Sequence, residues 1–140
     1  TVDRIDAKDT TLRIVDYKTG GSPKTPANIE QLFTPSESRP NYIFQTFLYA
    51  AIMSRQQSLK VAPSLLYIHR AASESYSPVI EMGEPRQPKI PVSNFAFFED
   101  EFREHLQRLL EEIFDENEPF TQTEDTKKCA YCDFKAICKR

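Results

Sequence analysis

Apolar and polar side chains alternate along the first eighteen residues of the chain. The alternation covers residues 1–7 and 11–18, and the polar sequence KDTT separates the two stretches. A period of two is typical of β-strands that bury one face. The pattern therefore predicts a β-hairpin at the start of the chain.

Two later stretches have the spacing of helices. The segment after Pro40 has no helix breaker and is apolar around most of its circumference, which predicts a largely buried helix from Asn41, as its N-cap, to about Gln57. A second, amphipathic helix is predicted from about 98 to 115, because apolar side chains recur there at helical spacing. These side chains are Phe95, Phe98, Phe102, Leu106, Leu109, Leu110 and Ile113.

The remaining segments are predicted as loops and two further strands. Residues 19–40 contain two glycines and four prolines, which predicts a loop with one helical turn at NIEQLF. Residues 61–71 predict a strand that enters the core, and SPVIEMG (77–83) predicts a weaker edge strand inside an otherwise loop-like stretch, 72–94. The order of elements predicts an α/β or α+β fold, with a mixed central sheet flanked by helices.

The hairpin register predicts which side chains share a face. If the chain turns about Asp9 and Thr10, the numbers of directly opposed residues sum to 19. The opposed pairs are then Ala7 with Leu12, Ile5 with Ile14, and Asp3 with Asp16. All six side chains lie on one face, and Lys18 extends the row.

Two facing carboxylates at the end of an apolar face require a counter-charge. Opposed like charges destabilise a strand pair by up to about 1 kcal/mol, whereas a divalent cation between them reverses the sign of that interaction. Mg²⁺ and Mn²⁺ prefer oxygen ligands, and Lys18 could hold a water or offset charge on a phosphate. We interpret the strand end as a metal site for phosphoester hydrolysis. Alternatively, Asp3 and Asp16 are ordinary strand-end acids paired with Arg4, Arg13 or Lys18.

Three sequence motifs occur in one order along the chain. VDRID carries Asp3, DYKTG carries Asp16 and Lys18, and QTFLY carries Gln45 and Tyr49. This order resembles the RecB-like branch of the PD-(D/E)xK nuclease superfamily, and within it the nuclease domain of AddB-type helicase-nucleases. The resemblance extends over nearly the whole chain and implies a restriction-endonuclease-like core.

The resemblance implies hydrolysis of DNA phosphodiester bonds with Mg²⁺ or Mn²⁺. Asp3, Asp16 and the main-chain carbonyl of Tyr17 would then bind the metal, and Lys18 would position the attacking water. RecB-like sites usually take a further histidine ligand from a helix upstream of the first acid. Both histidines of this chain come later in the sequence, and we interpret each of them as structural.

The resemblance also implies a role for a glutamine and a tyrosine on the first long helix. Gln45 and Tyr49 match the family's Q-x-x-x-Y motif and share one helix face, so both could place the DNA strand. Taken alone, the pair would instead be expected to satisfy a core hydrogen bond. Candidate contacts to the DNA backbone, each equally well explained as plain surface, are Lys24, Arg39, Lys127 and Lys128.

Three cysteines follow each other closely near the end of the chain. Cys129, Cys132 and Cys138 have the spacing C-x2-C-x5-C, and clustered thiols in a cytosolic protein indicate metal ligands rather than disulfides. The resemblance implies a four-iron, four-sulfur cluster in the parent protein, with its first cysteine far upstream of this chain. We therefore expect no intact cluster here and a mobile or rearranged tail. The alternatives are a zinc ion with His69 or His105 as fourth ligand, and three free thiols.

The length of the chain bounds its organisation. The 140 residues suffice for one compact domain, and we assign 1–125 to a nuclease core and 126–140 to a cysteine-bearing tail. The chain starts at Thr1, inside a predicted strand and without a methionine, so we expect a fragment of a larger protein. No apolar run approaches the roughly 20 residues that span a bilayer, and no signal peptide is present, so we expect a cytoplasmic location and no membrane partner.

Charge and motif together define the competing functions. The net charge of −3 argues against a generally basic nucleic-acid binder, although residues 126–140 hold five bases and residues 99–118 hold nine acids. The resemblance implies a DNA nuclease domain that acts with a helicase domain or subunit in double-strand break repair and recombination. The alternative is a non-catalytic DNA-binding or architectural module with the same fold. An RNA- or transposon-related nuclease would share the chemistry.

Overall fold

The computed structural model describes residues 1–56, 58–119, 121–124 and 126–139. Its strands are β1 (Arg4–Lys8), β2 (Thr11–Lys18), β3 (Lys60–Tyr67), β4 (Glu81–Met82) and β5 (Ile90–Pro91). Its α-helices are α1 (Glu30–Phe33), α2 (Asn41–Met53), α3 (Glu99–Phe114) and α4 (Thr126–Cys129). Short 3₁₀ helices cover Ser54–Gln56, Ile68–Arg70 and Phe95–Phe97.

The main sheet has three strands in the order β1-β2-β3. β1 and β2 are antiparallel, and the predicted register is confirmed, since Ile5 lies opposite Ile14 and Ala7 lies opposite Leu12. The turn between them places Asp9 at φ 54°, a left-handed conformation that aspartate tolerates better than most residues. The ladder begins at Arg4, so Asp3 precedes the strand.

α2 connects β2 to β3, which run parallel. On β2 the face that carries Leu12, Ile14 and Asp16 is buried, whereas Tyr17 on the other face and most of β1 are exposed. α2 buries Ile43, Phe47 and Ala50 against the sheet. The ring of Phe47 packs edge-on against Phe95, with 5.3 Å between ring centroids. The predicted mixed sheet flanked by helices is therefore confirmed, and it presents the end of β2 to one side of α2.

The outer edge of β3 is closed by a tyrosine. The hydroxyl of Tyr76 donates to the carbonyl of Leu65 at 2.7 Å and accepts from the N–H of Tyr67 at 2.9 Å. The N–H of Leu65 donates to the carbonyl of Pro78 at 2.9 Å. Pro63 lies two residues before Leu65, so its main-chain nitrogen faces the same outer edge of β3. The N–H that proline lacks is therefore not needed for pairing with β2.

Some predicted boundaries were wrong. The strand predicted over 61–71 ends at Tyr67 and continues as a 3₁₀ turn, and the predicted edge strand is reduced to β4, which pairs with the unpredicted β5. The N-cap position of α2 is held by Pro40 rather than Asn41, because the carbonyl of Pro40 accepts from the N–H groups of both Ile43 and Phe44. The predicted end of this helix, Gln57, lies outside the described residues.

Helix α3 is confirmed over nearly its predicted range, but its apolar stripe is only partly covered. Phe102 is fully buried, whereas Leu110 and Ile113 are 44 % and 54 % exposed. The helix start is held by Arg103, whose Nη2 donates to the carbonyl of Ala51 at 2.9 Å. Among the described residues, no helix combines the length and the apolar character that crossing a membrane requires.

Contacts divide the chain into two units, Thr1–Leu109 and Leu110–Arg140. The first unit contains the sheets, α1, α2 and the buried core. The boundary falls within α3, so the second contains the end of α3, α4 and short turns, and none of its described residues is buried. The predicted boundary at 125 separates a chemical core from a cysteine tail, and it stays a prediction.

Candidate active site

The site is built on the last residues of β2. Asp16 and Lys18 are two positions apart, so their side chains lie on the same face of the sheet. The carboxylate of Asp16 forms an ion pair with Lys18 Nζ, and the two side chains are only 4 % and 14 % exposed. Neither group sits in bulk water, so each depends on the other for its charge balance.

Helix α2 supplies the next partners of Lys18. Its Nζ donates to Gln45 Oε1 at 3.0 Å, and it lies 4.3 Å from the ring centroid of Tyr42. Because an ammonium only donates, this contact fixes which end of the Gln45 amide faces the lysine. Lys18 is therefore held by a carboxylate, an amide oxygen and an aromatic ring.

A second hydrogen bond extends this arrangement along α2. Gln45 Nε2 donates to the hydroxyl oxygen of Tyr49 at 2.8 Å. In the part of the chain that the structure describes, the Tyr49 hydroxyl has no acceptor for its own hydrogen. Four predicted site residues thus form one continuous chain of contacts, which we call the lysine network: Asp16, Lys18, Gln45 and Tyr49.

Asp3 reaches the same strand end through the main chain. Its Oδ2 accepts a hydrogen bond from the N–H of Tyr17 at 2.8 Å. The carboxylate of Asp3 therefore lies against the peptide that joins Asp16 to Tyr17, although Asp3 itself is exposed. The structure brings Asp3 and the lysine network to the same end of β2.

Whether this strand end suits a metal ion can be judged from Asp16. Its Oδ2 is buried, and apart from the ion pair it makes no hydrogen bond of normal geometry to a described residue. A carboxylate oxygen in an ion pair still has lone pairs that a hard cation can use, so the residues present fit Mg²⁺ or Mn²⁺. The described residues contain no group of three or more His, Cys, Asp or Glu side chains that could hold a metal. The candidate donors are accordingly two carboxylates and the Tyr17 carbonyl, with waters completing the shell.

Tyr42 was not predicted as a site residue. It lies three residues before Gln45 and seven before Tyr49, so the three side chains share one face of α2. This helical spacing is the signal in the sequence that could have identified it. The structure shows its ring against Lys18, which the position after Asn41 alone does not indicate.

The two predicted DNA contacts of the first unit differ in their environments. Lys24 Nζ donates to the carbonyls of Ser38 and Arg39, at 2.8 and 3.1 Å, and so ties the long loop to itself. Arg39 lies over the ring of Phe44, with 5.1 Å between its Cζ and the ring centroid. Its Nε is buried without a hydrogen-bond partner among the described residues. The Lys24 ammonium is therefore already bonded within the loop, whereas the Arg39 guanidinium has an N–H that makes no hydrogen bond to a described residue.

The other predicted site residues lie in the second unit. Lys127 and Lys128 are exposed on α4. The three cysteines form no disulfide and are of intermediate exposure, and within the described ranges they do not form a group that could hold a metal. The carbonyl of Cys138 accepts a hydrogen bond from Gln122 Nε2 at 3.1 Å.

Both histidines make aromatic contacts in the first unit. The ring of His105 stacks on Phe33 with 5.2 Å between centroids, and His69 meets Tyr67 edge-on at 6.0 Å. Burial raises the pKa of Tyr67 above its ordinary value of 10.0, so this neighbour of Lys18 in the β2–β3 ladder stays neutral. These contacts agree with a structural interpretation of both histidines.

Comparison with known families identifies the fold and its general chemistry. The family model of the PD-(D/E)XK nuclease superfamily matches residues 1–139. The chain belongs to the PD-(D/E)XK nuclease superfamily. Its three-stranded mixed sheet and flanking helices are consistent with the restriction-endonuclease-like fold. Searches among curated proteins and among solved structures found no match.

Membership of this superfamily narrows the activity without naming a substrate. Its members are typically nucleases that use divalent metals, so membership points to cleavage of nucleic acid. The match is to the superfamily as a whole, and the RecB-like and AddB assignments are finer than it.

Proposed function

We propose that this chain is a Mg²⁺- or Mn²⁺-dependent deoxyribonuclease domain of the RecB-like branch. The observation that carries the proposal is the lysine network. Its members come from β2 and from α2, which are separated by more than twenty residues of sequence, yet they make direct contacts in a common site. A carboxylate, a lysine and a polar pair at the end of a strand suit hydrolysis of a phosphodiester.

The metal would be held by Asp16, Asp3 and the carbonyl of Tyr17. A divalent ion bound there supplies positive charge that acidifies a water and offsets the charge that develops on the phosphate. The burial of the Asp16 carboxylate and the location of Asp3 beside the next peptide support this ligand set. Both carboxylates lie at the end of one strand, so a phosphate could approach them from one side.

Lys18 positions the attacking water and stabilises charge on the phosphate. Its ammonium has three hydrogens, and its partners Asp16 and Gln45 leave one of them for a water or a phosphate oxygen. The partial burial of Lys18 makes that interaction stronger than it would be in bulk solvent. The lysine acts as a fixed donor because its partners hold it from two elements.

Gln45 and Tyr49 place the DNA strand. Gln45 is oriented by Lys18 on one side and by Tyr49 on the other. The hydroxyl hydrogen of Tyr49 is then directed away from Gln45, which makes it a donor for a non-bridging phosphate oxygen. Arg39 would add a further contact to the backbone, whereas Lys127 and Lys128 belong to the second unit.

The wider context is proposed from the motifs. The domain would belong to an AddB-type helicase-nuclease that processes broken DNA ends in the cytoplasm, with a helicase domain or subunit as its partner. Cys129, Cys132 and Cys138 would supply three of the four ligands of a four-iron, four-sulfur cluster in that protein. The chain has three cysteines in all, so the fourth ligand would come from outside these 140 residues.

The decisive test is cleavage of DNA by the full-length parent protein carrying Asp16→Asn or Lys18→Met. We expect Mg²⁺-dependent cleavage to fall by a factor of about 10³ in either variant, since each removes an electrostatic contact to the reacting groups. Lys60→Met, at the exposed start of β3, is the matched control and should cleave normally. Thermal unfolding of each variant shows whether the fold is intact. Undiminished cleavage by both site variants would refute the proposal.

One observation favours a second candidate, a DNA-binding module without catalysis. The described residues offer two acids at the site rather than three or more side-chain ligands. Titration of the chain with Mn²⁺ in a calorimeter separates the two functions. A binding signal that disappears in Asp3→Ala supports the nuclease, whereas no signal in the parent sequence supports the non-catalytic module.

A further inference from the structure

A cleft of about 250 Å³ opens beside the lysine network, between the loop that follows β2 and the start of α2. We call it the Tyr42 cleft. Its lining includes two cations, one acid and two tyrosines. The polar and aromatic side chains that matter for its chemistry are Ser22, Lys24, Glu37, Arg39, Tyr42 and Tyr67. Asp16 and Lys18 do not line it, so the cleft is adjacent to the proposed catalytic groups rather than identical with them.

Tyr42 connects the cleft to the lysine network. Its ring lies 4.3 Å from Lys18 Nζ, borders the cleft and is 40 % exposed. Gly21 packs against the same ring, with φ 78° and a position where a Cβ would lie 3.2 Å from Tyr42 Cε2. The loop therefore holds the ring in place. A fixed, partly exposed aromatic ring is a stacking surface for a nucleobase.

Arg39 contributes a guanidinium to the lining of the cleft. Its Nε is buried and has no partner among the described residues, and its guanidinium is held over the ring of Phe44. Lys24 Nζ donates to two carbonyls, which fix its position. Lys24 therefore adds positive charge to the cleft but cannot move freely to meet a ligand. Glu37 is the one acid of the lining, so cations outnumber it. A guanidinium held in this way suits a phosphate oxygen.

The start of α2 adds partial positive charge. Pro40 occupies the N-cap position and offers no side chain to cap the helix. The N–H of Tyr42 has no acceptor in the described part of the chain. A helix of thirteen residues with an uncapped N-terminus favours an anion beside it. The start of α2 and Arg39 both line the cleft, as does the ring of Tyr42. The aromatic ring and the groups that favour an anion therefore occupy a single cleft.

We propose that the Tyr42 cleft binds one unpaired nucleotide of the substrate, next to the phosphate that is cleaved. The base would stack on Tyr42, and the phosphate of that nucleotide would bind Arg39 at the start of α2. This inference rests on the proposed nuclease function, because it names the part of the substrate that lies beside the reacting groups. A base paired in a duplex cannot enter such a cleft, so a single-stranded or frayed end is the form that fits.

The test is binding of thymidine 5′-monophosphate to the chain in the presence of EDTA, followed by NMR. We expect the amide signals of Gly21 and Ser22 to shift as the nucleotide is added. Arg39→Gln should weaken binding about tenfold, since it removes a charged hydrogen bond to phosphate. Tyr42→Leu should weaken it about fivefold or more, since it removes the stacking surface. Arg55→Gln, in the 3₁₀ helix that follows the far end of α2, is the matched control and should bind normally.

Thymidine without its phosphate separates the two contacts. Its weaker binding should depend on Tyr42 and be unaffected by Arg39→Gln. If Tyr42→Leu does not fold, as judged by thermal unfolding, Arg39→Gln and the nucleoside comparison still decide the question. Equal affinity of Arg39→Gln and the parent sequence for the nucleotide would overturn the proposal. No shift at Gly21 and Ser22 would also overturn it.

The two proposals fail in different ways. Because EDTA removes divalent metals, nucleotide binding does not depend on cleavage. If the protein binds the nucleotide with these dependences but does not cleave DNA, the proposed binding site stands and the proposed nuclease function is refuted. If the protein cleaves DNA in a way that requires Lys18 but its cleft binds no nucleotide, the proposed nuclease function stands and the proposed binding site is refuted.

Discussion

The lysine network and the cysteine segment both carry sequence motifs, but only one of them is supported by a folded framework. The network rests on a central strand and a thirteen-residue helix, and its carboxylate is 3 % exposed. The cysteines lie on one turn of helix and a series of turns. Every described residue from 110 to 139 is exposed except the three cysteines, which are half-buried.

The comparison shows what a motif needs in order to become a site. Asp16 and Lys18 are adjacent because a strand fixes alternate side chains on one face, and Gln45 reaches them because α2 packs on that strand through its buried face. The cysteines have no comparable packing of their own. A metal that joined them would itself supply the order, as in small metal-bound domains.

The largest difference between the two units should appear in their stability. Phe47 is fully buried among other aromatic rings, so Phe47→Ala should lower the free energy of unfolding by about 3–5 kcal/mol. Phe134, in the second unit, is 66 % exposed, so Phe134→Ala should change the free energy of unfolding by no more than about 0.5 kcal/mol. Urea titration followed by circular dichroism measures both. Equal losses in the two variants would contradict the contrast drawn between the units.

A smaller effect is expected from removing one hydroxyl in each unit. Tyr49→Phe leaves Gln45 Nε2 without its acceptor and removes the proposed phosphate donor, so DNA cleavage by the parent protein should fall about tenfold. Tyr131 is 95 % exposed, and Tyr131→Phe serves as the control with normal cleavage. If the two variants cleave at the same rate, the Tyr49 hydroxyl has no part in catalysis.

The smallest effect concerns two surface acids. The pKa of Asp6 is lowered mainly by a hydrogen bond from Arg13 Nε at 2.6 Å, and that of Asp115 is lowered by hydrogen bonds from Asn117. A carboxyl with a lowered pKa stabilises the fold above its ordinary value of 3.8, and this contribution is lost as the pH falls through the lower pKa of the folded state.

Acid unfolding should therefore respond to only one of these acids. Asp6→Asn should make the loss of stability below about pH 4 shallower, because Asp6 is tied to the sheet. Asp115→Asn should leave global unfolding unchanged, since its partner is two residues away in a unit whose described residues are all at least partly exposed. Chemical unfolding at a series of pH values measures both. An identical response of the two variants would show that the second unit folds cooperatively with the first.

Strand register was predictable because it depends on local rules. Once the turn was placed at Asp9 and Thr10, alternation fixed Ile5 opposite Ile14 and set Asp16 and Lys18 on one face. The burial of α2 was likewise predictable from its apolar circumference. Both features follow from the periodicity of a single element, and the motif order then led to the correct superfamily.

Other features depend on contacts between distant segments and were not predictable. The role of Pro40 at the start of α2 reflects a turn made by the preceding loop. β5 exists because Val92 and its neighbours meet the segment around Ile80, where the N–H of Val92 donates to the carbonyl of Ile80 at 2.8 Å. Tyr42 belongs to the site because its ring contacts Lys18, at the end of β2. The spacing of Tyr42 from Gln45 and Tyr49 indicates a shared helix face, but the contacts of Tyr42, Pro40 and Val92 with distant segments leave no period in the sequence.

Tyr76 has a consequence for how other molecules can approach the sheet. Its hydroxyl satisfies both a donor and an acceptor on the outer edge of β3, at Tyr67 and Leu65. An extended peptide or a second copy of the chain therefore cannot add a strand there through main-chain pairing. Tyr67 also lines the Tyr42 cleft, so the sheet is protected from edge-to-edge association at the point where the cleft must stay accessible to a ligand.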